Sequence, residues 1–360
     1  MLMVCVTAMS GATWGPSFAK VATTGDRNQT CNASSSSMTP KNWVVPRRHF
    51  EREPTSIVES ATIPLAGPAN RFDYQSVDAS SGRLYISHMN AGRLTVFDLK
   101  AGKVIADIPG VDRATGVLAV PAEHRVYVSA AGLHEVAAID DRTLDVIGRV
   151  GDIRFPDGIA YAPAERKIFV SDESGKADVV VSAISMTKRA AIALGGEAEN
   201  THYDSVSHCI LVAVQTRNEL VAIDPATEKL IARFSMPGSD HPHGFALDEP
   251  GRLAFVTSEG NATLRVIDLR NMKVVSTHRV GDAPDVVAWD ADWGRLAVAS
   301  EAGVVSVFQL DGSTLSRIAE YRAPHAHSVA IDPRTHRLFL PLENVNGHPE
   351  LRILAWRSSR

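Results

Sequence analysis

The sequence predicts an all-β chain folded as a seven-bladed β-propeller, its ring closed by an N-terminal strand that completes the last blade. Three observations carry this expectation. First, a β-rich marker recurs from residue 56 onward as RLYIS, RVYVS, KIFVS, CILVA, LAFVT, RLAVA and RLFLP. Its central residues are Tyr85, Tyr127, Phe169, Leu211, Phe255, Ala297 and Phe339, spaced by 42, 42, 42, 44, 42 and 42 residues. A period this long and regular is one supersecondary unit stacked many times. Second, each marker is followed by another strand, ending in aspartate at Asp98, Asp140, Asp224 and Asp268, and then by a turn and an outer strand such as "KVIADI". With the strand ahead of the marker, this makes four short strands per unit, the composition of a propeller blade. Third, the final copy shows only three strands, "HSVAIDP", "RLFLP" and "LRILAW", while "SIVESATIPLA" at 56–66 has the length and β-branched content of an outer strand. An open ring would leave backbone groups unpaired, so this segment is predicted to close blade 7.

The remaining elements follow in chain order. Residues 1–19 read as a signal peptide, with an apolar stretch Leu2–Met9 and a small-x-small cleavage pattern at Ser17-Phe18-Ala19. This predicts a periplasmic or secreted protein. Residues 20–55, polar and without periodic apolar positions, read as a disordered linker, and residues 56–360 as the propeller. Cys5, Cys31 and Cys209 show no metal-type spacing and argue against a disulfide framework. The net charge is -4, from 37 basic and 41 acidic residues, which does not favour nucleic acid as a partner. No apolar run approaches the roughly 20 residues of a membrane-spanning helix. The chain is expected to be monomeric. The repeated aspartates read as turn caps.

"LYISHMNAGRLTVFDLKAGKVIADIPG" resembles the YVTN β-propeller repeat of YncE-like proteins, in which Y-V-T-N, V-x-V-I-D and T-G-K-V-V-A-T-I follow one another. The resemblance covers 56–356, is clearest in blades 1, 2, 4 and 5, and weakens where "VVVSAI", "VSVFQL" and "RILAW" lack the aspartate. It implies a seven-bladed propeller, commonly exported in bacteria. Its members serve varied roles, so function must come from the site.

Residues that begin the innermost strands reach a propeller's axis. Counting back twelve from each marker gives Asp73, Thr115, Asp157, Glu199, His243, Asp285 and His327. His243, Asp285 and His327, from blades 5, 6 and 7, form an arc of imidazole and carboxylate that suits a divalent transition metal. Asp73 adjoins it by ring closure, and Asp157 and Glu199 are expected to bind ligand. Two residues earlier stand Arg71, Arg113, Phe155, Glu197, His241, Ala283 and His325, which an extended chain would turn to the same side. His-x-His thus recurs in "HPH" and "HAH", and Arg71 and Arg113 are placed to seat a small anionic ligand. His202 is anomalous, because its repeat position holds Ser76, Leu118, Ala160, Ala246, Ala288 and Ala330 elsewhere. Tyr161, Tyr203 and Trp289 share a position that packs between blades.

Three functions fit these residues. The first is an exported propeller binding a metal ion or small anionic ligand at the channel mouth. The second is a metal-dependent lactone or ester hydrolase, or a lyase, with His241, His325 or His202 as acid–base group. The third is a scaffold presenting its rim to a protein partner.

Overall fold

The computed structural model describes residues 31, 38–40, 43–46, 48, 50, 56–324 and 326–357. The leader expected at 1–19 lies outside the described residues. Among the described residues, twenty-eight strands form seven antiparallel sheets of four. The propeller read from the repeat is what the chain adopts, and no helix among the described residues is long and apolar enough to cross a membrane.

The marker explains the packing. In blade 1, Tyr85 faces blade 2 and packs with Val117, Val126 and Val128, while its neighbours Leu84 and Ile86 face blade 7 and pack with Phe339 and Ile353. The same alternation puts Phe169 against Ile210 and Val212, and Phe255 against Leu296 and Val298. Each second strand is therefore buried on both faces, which is why it reads as a nearly continuous apolar run. The repeated aspartates cap turns as expected: Asp98 accepts from the backbone N–H of Lys100 and Ala101, and Asp140 from Arg142 and Thr143.

Ring closure also follows the sequence. The strand Ser56–Pro64 pairs antiparallel with His348–Arg357, from Ser56 opposite Arg357 to Pro64 opposite Glu350. The outer edge of blade 7 is thus supplied from the start of the propeller.

Two expectations need correction. Cys31 and Cys209 form a disulfide, so cysteine spacing misled: the partners lie 178 residues apart and meet only because the chain returns along the ring. The segment read as a linker also contributes to the core. Met38 is buried against Leu211, Ala213 and Phe245, and Arg48 pairs with Asp248. The reason lies in a gap in the repeat. Arg83, Arg125 and Lys167 each reach a backbone carbonyl of the next blade, at Asp141, Ala183 and Pro225. The corresponding residue in blade 4 is Cys209, which cannot, and there the N–H of Met38 donates to the carbonyl of Leu269 at 2.9 Å.

Candidate functional site at the channel mouth

The residues at marker minus twelve converge as the count predicts. In blades 2 to 6 the pairing between first and second strands shifts register over these positions, for example between Pro242 and Phe245 and between Pro284 and Val287. Such a bulge bends the strand and re-aims a side chain. Close approach of successive blades holds it: a Cβ on Gly244 would overlap the backbone carbonyl of Asp285, and one on Gly116 that of Asp157. Gly244→Ala should therefore pry blades 5 and 6 apart at the site, at a cost of about 3 kcal/mol in denaturant unfolding. An unchanged midpoint would mean that the inner strands can separate freely.

Asp285 stands at the centre of the arc. Its Oδ2 lies 2.7 Å from His327 Nε2, and its Oδ1 lies 3.3 Å from His243 Nδ1. His243 Nε2 is 3.1 Å from Glu199 Oε2, and His327 Nδ1 is 3.1 Å from Glu301 Oε1. Asp73 Oδ1 lies 3.6 Å from His327 Nε2. Asp285, Glu301 and His327 offer ligand atoms all within 4.8 Å of one another.

Several polar demands in this cluster go unmet. His243 Nδ1 and Asp285 Oδ1 face each other at 3.3 Å as an ion pair but are not aligned for a hydrogen bond, and neither has another partner. His327 Nε2 is 2.7 Å from an acceptor, Asp285, and 2.8 Å from a donor, Arg71 Nη2; one ring nitrogen cannot serve both. Charge accumulates as well. Burial would lower the His243 and His327 imidazoles, but Asp285 together with Glu199 or Asp73 outweighs it and holds both well above the ordinary histidine value. Burial would raise the Asp285 carboxyl, yet His327 and His243 keep it below the usual carboxylate range. Asp157 is pushed well above that range by burial and by Asp73 and Glu199, which outweigh His243. Glu173 is raised to about 7 by burial, Glu199 and Glu197.

The residues two positions earlier do not all join. Arg113, His241 and Ala283 have φ of 50°, 53° and 50°, in the left-handed region, so the chain is not extended there and the same-side expectation fails. His241 is turned outward, its Nδ1 2.8 Å from Asp240 Oδ1, away from His243. Arg113 stacks on Phe155, 5.1 Å from the ring centroid. His325 lies outside the described residues. Arg71 does reach the ring, but its Nη1 donates to Glu301 at 2.8 Å and its Nη2 lies 3.7 Å from Asp285 Oδ2. Thr115 turns into the wall, donating to the Pro156 carbonyl at 2.8 Å.

Tyr74 divides the channel. From blade 1 its hydroxyl reaches across to blades 3 and 4, donating to Asp157 Oδ2 at 3.5 Å and accepting from Asn200 Nδ2 at 3.4 Å. His202 lies on the far side of this ring, edge-on to Phe245 at 4.6 Å, and does not join the arc.

Sequence reasoning missed Glu301 and Glu173, which sit in turns. They too have a register: four residues after the markers come Met89, Ala131, Glu173, Gln215, Glu259, Glu301 and Glu343. Met89 and Glu173 line the mouth, Gln215 donates to Glu199, and Glu301 meets His327.

This architecture is that of a seven-bladed β-propeller with an acidic, histidine-bearing mouth. The chain matches no known protein family and no curated protein sequence, so the YVTN likeness rests on the repeat. Among solved structures it is similar to Kuenenia stuttgartiensis hydrazine synthase, at 14% identity over 86% of this chain and 98% of that one, with a TM-score of 0.68. It is similar as well to virginiamycin B lyase from Staphylococcus aureus, at 11% identity over 84% and 100% of the two chains and a TM-score of 0.69. The WD40 repeats of RRP9 align at 10% identity over 84% and 99%, with a TM-score of 0.70. At these identities the likeness is one of fold.

Proposed function

We propose that this chain is an exported YVTN-type propeller that binds one divalent transition-metal ion at its channel mouth, through His243, Asp285 and His327 with Glu301 beside them. The observation that carries the reading is Asp285, whose carboxylate stands between two imidazoles from neighbouring blades while its own Oδ1 and the facing His243 Nδ1, 3.3 Å apart, make no hydrogen bond. A cation at that point would meet those unfilled demands and relieve the conflict at His327 Nε2. The sign of the charge favours a cation over the anion also considered from sequence. Burial holds protons on Asp157 and Glu173, but Asp73, Glu199, Asp285 and Glu301 still supply carboxylates around the mouth, Arg71 is already held by two of them, and a bound cation would take the place of the protons that they hold on His243 and His327. Of the acid–base candidates, His241 and His202 stand apart from the arc, which leaves metal binding better supported than hydrolysis or elimination. Export is supported by the Cys31–Cys209 disulfide, since disulfides persist chiefly in oxidising compartments.

Protein purified without chelator and offered zinc, copper, manganese or iron should hold near one equivalent of one of them, read by elemental analysis. His243→Ala, His327→Ala or Asp285→Ala should each weaken binding by at least about 100-fold, because even removing groups behind a ligand costs 10–100-fold. Asp98→Ala, at a turn cap remote from the mouth, should bind as the parent does. Binding by the parent no tighter than by a His243→Ala/His327→Ala double variant would overturn the metal reading.

A further inference from the structure

Arg71 turns into the arc where Arg113 and His241, at the same repeat position, turn away, and the backbone shows why. In blades 2 to 6 the carbonyl at this position accepts from the N–H four residues after the marker, as Arg113 does from Ala131 and His241 from Glu259. In blade 1 the Arg71 carbonyl accepts from the fifth, Asn90, at 3.3 Å, and Arg71 lacks the positive φ of Arg113 and His241. Its side chain is thereby directed toward the axis.

The guanidinium meets the metal set itself. Nη1 donates to Glu301 Oε1 at 2.8 Å, while Nη2 lies 2.8 Å from His327 Nε2 and 3.7 Å from Asp285 Oδ2. Glu301, His327 and Asp285 are also the three side chains whose ligand atoms lie within 4.8 Å of one another. A positive charge of the chain's own therefore stands among the groups that would hold an ion. Burial works against that charge, but Asp73, Asp285 and Glu301 outweigh it, and a guanidinium does not release its proton in a folded protein. The charge can leave only if the side chain moves. There is room for that: Arg71, its side chain 37% exposed, forms part of the wall of a cavity of about 370 Å³, lined further by Asn70, Asn90, Ala326 and Glu343.

We infer that Arg71 is the resident cation of this site and its specificity determinant: it occupies the place of the ion, keeps monovalent cations out, and swings into the adjoining cavity when a divalent transition metal enters. The inference rests on the metal reading of the mouth. Ion and guanidinium cannot share His327 Nε2, which has one lone pair. A divalent ion doubles the charge facing Asp285 and Glu301, and Coulomb energy scales with that charge. It also takes up imidazole nitrogen, a ligand that suits transition metals. A monovalent ion such as sodium brings no more charge than Arg71 already supplies, so nothing offsets the contacts it would break.

Zinc is the probe, titrated calorimetrically into the parent, Arg71→Gln and Arg113→Gln in tetramethylammonium chloride. Arg71→Gln should bind zinc at least about tenfold tighter than the parent, because charge-assisted hydrogen bonds no longer have to be broken on entry. Arg113→Gln removes an equal charge from the exposed rim, where salt screens it, and should gain far less. Replacing the salt by sodium chloride at the same ionic strength should weaken zinc binding by Arg71→Gln and leave that of the parent unchanged. The inference is overturned if Arg71→Gln binds zinc no tighter than the parent, if Arg113→Gln gains as much, or if sodium acts on both proteins alike. In each of those cases zinc on the parent leaves the metal reading standing. Should Arg71→Gln fail to fold, a crystal structure of the zinc-loaded parent decides: Arg71 Nη2 clear of His327 Nε2 supports the inference, and Nη2 still within hydrogen-bonding distance overturns it. Zinc absent from parent and variant alike also overturns it, and the metal reading falls with it only if copper, manganese and iron are refused as well.

Discussion

Asp178→Asn should gain about 5 kcal/mol of folding free energy relative to the parent between pH 4 and pH 8, the gain growing steadily across that interval. Asp178 lies in the third strand of blade 3, opposite Ser171, at the position filled by Leu94, Val136, Leu220, Leu264 and Val305 in other blades. It is fully buried and neither carboxylate oxygen has a hydrogen-bond partner. The Thr201 hydroxyl, which donates to the Leu211 carbonyl at 3.3 Å, pulls the carboxyl down but is outweighed by burial. Burial pushes the carboxyl up to about 8. The folded chain therefore keeps a proton that the unfolded chain gives up near the ordinary aspartate value of about 3.9. Stability is fully present below that value and is lost as pH rises toward the folded pKa. Asparagine cannot ionise, so its profile lacks this slope, and any fixed cost of its amide appears equally at every pH. Denaturant unfolding of both proteins at pH 4, 6 and 8 measures the difference. A constant offset across that range would show that Asp178 is ionised in the fold and finds compensation there.

Asp178 also marks where reading the sequence by register succeeds and where it stops. The period of the markers is set by blade geometry, and the same arithmetic carried over to His243, Asp285 and His327, because every innermost strand starts at an equivalent place on the axis. It failed at His241 and Arg113, where one left-handed residue ahead of the strand cancels the alternation that an extended chain would impose. Glu301 and Glu173 were missed although their register is just as regular. They lie in turns, where apolar periodicity gives no signal, and only a count taken forward from the marker finds them. Asp178 and His202 are visible as breaks in the repeat, but a break does not say whether the odd side chain faces a neighbour, a chamber or nothing. The N-terminal segment was hidden most completely. Its one large apolar anchor, Met38, has no periodic companions, and its place is dictated by what blade 4 lacks rather than by its own pattern.

Reducing the Cys31–Cys209 bond, or replacing Cys31 by serine, should cost up to about 5 kcal/mol of unfolding free energy, because the bond closes a loop of 178 residues in the unfolded chain. The folded state contributes a further loss. Cys31 is the first described point of a segment that passes blade 4 at Met38 and blade 5 at Arg48 before entering blade 7 at Ser56. Its docking completes a buried pair: Arg252, with no exposed surface, donates to both oxygens of Asp204 at 2.7 Å and to the Met38 carbonyl at 2.6 Å. When the segment lifts away, that guanidinium loses an acceptor beside the core, and a buried cation left short of partners is costly. Thermal unfolding with and without reductant reads the sum, and Met38→Ala in the oxidised protein reads the anchor alone, at about 2–4 kcal/mol. The two effects should fall short of additive, since once the bond is cut the anchor is free to leave. Full additivity would mean that the bond and the anchor act independently, and an unchanged midpoint on reduction would mean that the segment does not brace the ring.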